Sequence, residues 1–86
     1  MKLKKGFIVH HTGMESLLVP VGGADWSGVV KGNKTLGAIL DLLKTETTED
    51  AVIETMKRRF NAQEDVIVRD VGKALSELRE IGALDE

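Results

Sequence analysis

The periodicity of this chain changes once, at Asn33, and that change limits what it can fold into. Before Asn33 the apolar residues are largely β-branched or aromatic and are punctuated by glycine; after it they return at helical spacing. The junction is the stretch Asp25-Trp-Ser-Gly-Val-Val-Lys-Gly-Asn33. Residues 26–31 read as a short last strand, and Asn33 as the N-cap of the first helix, because its side-chain oxygen can accept from an unpaired N–H of the first turn. A strand at such a junction is expected at the edge of its sheet, with backbone N–H and C=O groups free for a partner.

Upstream, residues 7–12 (Phe-Ile-Val-His-His-Thr) have the composition of a first strand. Gly13 supplies the turn, because it tolerates positive φ without steric cost. Residues 16–21 form the second strand, ending near Pro20, which lacks an N–H for a ladder. Residues 22–25 connect it to the third. Downstream, Leu36, Ile39, Leu40 and Leu43 make one helical stripe. Thr47 is the expected cap of the second helix, with Glu49 and Asp50 in the first turn and Lys57, Arg58 and Arg59 in the last, both placements favoured by the helix dipole. Val52, Ile53, Met56 and Phe60 are its expected buried face. The third helix spans about 64–81, with Ile67, Val68, Val71, Ala74, Leu75 and Leu78 as its apolar stripe and Gly82 at the C′ position. Residues 83–84 fold back onto the core. The pattern is βββααα: a three-stranded sheet followed by three helices, a small α+β domain spanning residues 1–86.

The chain has 86 residues and no cysteine, which removes disulfides and thiolate metal sites from consideration. Its apolar runs fall far short of the ~20 residues that span a bilayer. The start, Met1-Lys-Leu-Lys-Lys-Gly6, lacks the apolar core of a signal peptide. A cytoplasmic protein without a membrane role is expected. Twelve basic residues face fourteen acidic ones, whereas nucleic-acid binders usually gather a basic surplus on one face.

Enzymatic signals are poor. The glycines form no phosphate loop. His10 and His11 are adjacent, so on a strand they point to opposite faces and cannot jointly hold one metal. No Ser/His/Asp arrangement stands out, and no catalytic residue, metal or cofactor is expected. Trp26, the single tryptophan, is read first as an anchor of the core or edge and second as a partner contact. Arg69 and Lys73 are a like-charge i,i+4 pair, tolerable where an acidic partner sits between them. Gly72 in mid-helix costs about 1 kcal/mol relative to alanine; it marks either a close approach or an ordinary surface position. Such a domain has two uses. A winged helix-turn-helix could place its recognition helix in a DNA groove. Alternatively, a peptide could add a strand to the sheet edge and lay its side chains on the last helix. The third helix carries Asp70, Glu77 and Glu80 against Arg69, Lys73 and Arg79, a balance unsuited to a phosphate backbone.

Val19-Pro-Val-Gly22, the run from Trp26 to Thr35, and Ala38-Ile-Leu-Asp-Leu-Leu43 resemble the PqqD-like family, as do Asp70-Val71, Leu75, Leu78, Arg79, Gly82 and Leu84. Gly32 stands where family members often have leucine, Lys34 where they have glutamate, and Ala74 where an aromatic is common. The resemblance implies a winged helix-turn-helix-like fold with its strands first. It also implies a non-catalytic RiPP recognition element, which binds the leader of a ribosomally made precursor peptide. Such proteins present the precursor to a modifying enzyme, often of the radical S-adenosylmethionine (radical SAM) type. Carried over, the leader would pair with Ser27, Gly28, Val29, Val30 and Lys31 beside Trp26, in a groove closed by the helix starting near Val66. Arg69, Asp70, Lys73, Ala74 and Glu77 would read its side chains. Replacing Val30 with proline is expected to remove an edge donor. The contrasting reading is a DNA-binding transcription factor; an enzyme has no residue set behind it. The open edge also admits self-pairing, so the chain is a monomer or an edge-paired dimer.

Overall fold

The computed structural model describes residues 1–21 and 30–86. Along them the elements run β1 (Lys2–Leu3), β2 (Phe7–Thr12), β3 (Glu15–Pro20), β4 (Val30–Gly32), α1 (Lys34–Leu42), α2 (Glu49–Arg59), α3 (Glu64–Glu80) and β5 (Leu84–Asp85). The connection over 22–25 and the expected strand residues 26–29 lie outside the described residues.

Thr12 faces Glu15 across Gly13 and Met14, so β2 and β3 close on a two-residue turn. Gly13 has φ +46° and Met14 no positive φ, which fits a type II′ hairpin with glycine first. β3 also pairs antiparallel with β4, Leu18 opposite Val30 and Ser16 opposite Gly32, giving the sheet order β2-β3-β4. Three antiparallel strands followed by three helices make the winged helix-turn-helix-like α+β fold expected from the sequence. The second strand runs 15–20 rather than 16–21, and the third reaches Gly32.

Asn33 caps α1, its side-chain oxygen accepting from Leu36 N–H at 3.2 Å. The cap of α2 is Thr48, not Thr47: Thr48 Oγ1 accepts from Ala51 N–H at 3.1 Å, whereas Thr47 N–H donates to Met1 O at 2.9 Å. Two consecutive threonines offer the same chemistry, and the tie to Met1 takes the first out of the helix. α3 ends in a Schellman motif: Ala83 N–H reaches Leu78 O at 2.9 Å and Gly82 N–H reaches Arg79 O at 3.0 Å, with Gly82 at φ +73°.

That reversal sends the chain back as β5, which pairs antiparallel with β1, Lys2 opposite Asp85 and Leu3 opposite Leu84. Ala83 and Leu84 are buried, as expected of residues returning to the core. The core lies between the helix-facing side of the sheet, represented by Leu18, and the helices, which contribute Ile39, Leu40, Leu43, Val52, Met56, Leu75 and Leu78. Val68 is not part of it. At about 100° per residue it stands on the rim of the α3 stripe, and it is 43% exposed. No helix among the described residues is long and apolar enough to cross a membrane.

Candidate functional site

Backbone polarity decides which residues of β4 can meet a partner. Val21 N–H donates to Gly6 O at 2.7 Å, which marks these two as a bonded antiparallel pair. Bonded and non-bonded pairs alternate, so Val19 and Leu17 turn their backbone groups to β2, while Leu18 and Ser16 turn theirs to β4. Val30 and Gly32, opposite Leu18 and Ser16, are therefore committed to β3. Among the described residues of β4, Lys31 is the one whose N–H and C=O face the open edge. A proline at Val30 would break the ladder to β3 rather than remove an edge donor, because in an antiparallel strand only alternate residues face outward.

Across from that edge lies α3. Asp70, Lys73, Ala74 and Glu77 recur at i, i+3, i+4 and i+7, a single stripe of the helix. Together with Lys31 and Gly32 they wall a groove of about 280 Å³. Its remaining wall is the start of α1, from Asn33 and Thr35 to Leu36 and Ile39. Those residues were not among the expected contacts. The signal for them was the helix cap directly after the strand, which obliges the first turn of α1 to stand beside the edge.

Of the residues expected to bind, Lys31, Asp70, Lys73, Ala74 and Glu77 share this groove. Val30 is half-buried and packs against the core. Val66 lies one turn before Asp70, beyond the end of the groove. Arg69 is exposed and stands about 100° around the helix from Asp70, off the groove wall. Trp26, Ser27, Gly28 and Val29 are outside the described residues.

The groove has an apolar floor under a mixed-charge rim. Ile39 is 1% and Ala74 7% exposed, whereas Lys31, Asp70, Lys73 and Glu77 are exposed. None of these four, nor Arg69, takes part in an ion pair among the described residues. Among the described residues nothing neutralises their charges, which face water or a ligand. Gly32 does not open a hole in the floor, for a Cβ there would overlap the Leu36 side chain, lying 2.7 Å from its Cβ. Leu36 fills the volume that a larger residue at 32 would take. Past Thr35 and Asp70 the groove adjoins a smaller cavity of about 80 Å³, lined by Met56, Phe60, Ala62, Ile67 and Val71.

On the far side of α1 the fold assembles a hydrogen-bond chain that sequence spacing did not connect. His11 Nε2 lies 3.0 and 3.1 Å from the Asp41 carboxylate oxygens, and His11 Nδ1 lies 2.8 Å from Ser16 Oγ. The carboxylate only accepts, so Nε2 donates, and in the neutral imidazole Nδ1 then accepts from the Ser16 hydroxyl. Burial pushes the Asp41 carboxyl up, but hydrogen bonds from His11 and Lys44, together with their charge, outweigh it and hold Asp41 below its ordinary value. Ser16 is 3% exposed and roofed by Gly37, where a Cβ would overlap Ser16 Oγ. Ser16, His11 and Asp41 line a cleft of about 320 Å³ beside Lys34 and Arg59, and the hydrogen bonds among the three tie β2, β3 and α1 together. His10 is exposed on the other face of β2, and no group of three or more His, Asp or Glu residues among those described could hold a metal.

The fold is similar to a solved structure, that of TbiB1 in complex with the TbiA(beta) leader peptide. The TM-score is 0.74 over 99% of this chain and 100% of that one, at 17% identity. No curated protein matches the chain. The family model described as Coenzyme PQQ synthesis protein D (PqqD) matches residues 15–84, from the first residue of β3 to the first residue of β5. With the winged fold and the groove between β4 and α3 enclosed in that span, the chain belongs to the PqqD family.

Proposed function

We propose that this chain binds the leader segment of a ribosomally made precursor peptide by β-strand addition to β4. It presents the rest of that peptide to a modifying enzyme, of radical SAM type, and performs no chemistry itself. The observation that carries the reading is the groove itself: an open strand edge at Lys31 facing the Asp70, Lys73, Ala74 and Glu77 stripe across an apolar floor. An extended peptide is the ligand that satisfies both walls, with main-chain bonds to the edge and alternate side chains toward the helix. Membership of the PqqD family and likeness to a protein solved with a leader peptide support it. The residues of 1–86 act as one binding unit in the cytoplasm, where such a precursor is made.

The small cavity beyond Thr35 suits one aliphatic side chain of the leader, and the rim charges, unpaired among the described residues, suit a leader carrying both signs. Holding the leader raises the effective concentration of the attached peptide at the enzyme. DNA is the poorer ligand for α3, which alternates Asp70, Glu77 and Glu80 with Arg69, Lys73 and Arg79.

The test is a titration of isotope-labelled chain with synthetic leaders of neighbouring precursor peptides, read by amide shifts. Shifts at Lys31 and along the Asp70–Glu77 stripe are expected. N-methylating the bound leader at alternate positions should weaken binding by about tenfold or more per lost main-chain bond in one register and leave the other unchanged. Equal tolerance of N-methylation in both registers would refute strand addition. Shifts along α3 with duplex DNA, and none with any leader, would favour the transcription-factor reading.

A further inference from the structure

We propose that the cleft between β1 and β2 is a second docking surface, which takes an acidic, extended segment of a partner protein as an added strand on β2. In the order β2-β3-β4 the described sheet has two edges, and β2 is the one away from the leader groove. The alternation that turns Gly6 toward Val21 turns the N–H and C=O of Val9 to the open side. Beside that edge lies a cleft of about 380 Å³ walled by Lys2, Lys4, Lys5 and Lys44 and floored by apolar residues including Leu3 and Val9, with no carboxylate among the described residues that line it. Four of the chain's twelve basic residues thus gather at one strand edge of a protein whose net charge is −2. Lys44 is paired with Asp41 at 3.1 Å, while Lys4 and Lys5 enter no ion pair among the described residues. Ile8, 53% exposed, adds an apolar contact at the cleft's rim.

Three occupants compete, and the arrangement separates them. Lysines placed on an edge strand itself commonly block pairing, but β2 carries none; they stand on the facing wall. A second copy of this chain pairing through β2 would bring its own lysines against these, which like-charge repulsion disfavours. Nucleic acid or an anionic lipid would match the charge and leave the strand edge unpaired. A polypeptide rich in glutamate or aspartate satisfies both. The two outer strands are two strand spacings apart, about 10 Å, so a leader on β4 and a partner on β2 can be held at once.

The experiment uses the full chain and a capped peptide that alternates glutamate with valine, read by amide shifts with and without saturating leader. Shifts in residues 2–9 and at Lys44 are expected, unchanged by leader. They should weaken by about tenfold in a Lys4→Glu, Lys5→Glu variant and between ~0.05 M and ~0.5 M salt. Both lysines are exposed, and an unaltered spectrum elsewhere verifies the variant's fold. No shift, equal binding of a lysine–valine peptide, or the same shifts with duplex DNA or phosphatidylglycerol vesicles and none with the acidic peptide would each overturn the proposal. Leader binding is read at Lys31 and Ala74 in the same spectra, so either site can fail without the other.

Discussion

Gly37 and Ser16 set how closely α1 can lie on the sheet. A methyl group at 37 would overlap Ser16 Oγ and would stand 3.0 Å from Ser16 Cβ and 3.2 Å from His11 Cε1. Gly37→Ala must push α1 outward or break the Ser16–His11 bond. A loss of about 1–3 kcal/mol in urea unfolding is expected, the usual cost of overpacking a filled interior. Ser16→Ala in that background should recover part of the loss by removing the overlapping oxygen; a double variant no more stable than Gly37→Ala would show the overlap is not the cause. None of this was legible in the sequence, where Gly37 lies between Leu36 and Ile39 of the apolar stripe with no spacing to mark it. Its necessity comes from a serine twenty-one positions away that becomes its neighbour only after β3 packs on α1. Gly32 was legible as a departure from the family pattern, but its compensation by Leu36 was not, because that depends on the angle at which α1 leaves the strand.

At the scale of the element, α3 divides its circumference between two tasks. Val71, Leu75 and Leu78 face the core, while Asp70, Lys73 and Glu77 face the groove across Ala74, which belongs to both. The apolar stripe was readable from spacing alone. Which polar flank faces the groove was not, since spacing places residues relative to one another and only β4 and α1 decide what lies opposite. Gly72 shows the same limit. A Cβ there would meet only Glu49 Oε2, at 3.9 Å, so no close approach requires the glycine. It lies well away from the groove stripe around the helix axis. Gly72→Ala is therefore expected to stabilise the chain by about 0.5–1 kcal/mol, the helix-propensity gain. Urea midpoints measure it, and leader affinity should stay within error. Destabilisation would mean that the α2–α3 contact is tighter than these distances imply.

The molecule as a whole is tied at places where sequence patterning is silent. β1 and β5 are two residues each, too short to show a period, and they pair across more than eighty positions. Alternation and helical spacing predicted the three strands and three helices, but not this second sheet, which forms one wall of the lysine cleft. Ion pairs among the described residues add little to cohesion, because each has at least one exposed side chain. Asp41 differs, since its partner His11 is itself bonded to buried Ser16. Its folded carboxyl releases its proton more readily than the unfolded one. The stability it contributes is therefore complete above the unfolded value of about 4 and is lost as pH falls through the lower folded value. With the Asp41 and His11 side chains 40% and 48% exposed, that contribution should stay below about 1 kcal/mol. Asp41→Asn should thus be less stable than the parent chain at about pH 5, with the gap closing towards about pH 2. Urea unfolding of both proteins across that range measures it. A gap that stays constant would assign the loss to a missing hydrogen bond rather than to the charge, and would leave the acid sensitivity of the fold to its other carboxylates.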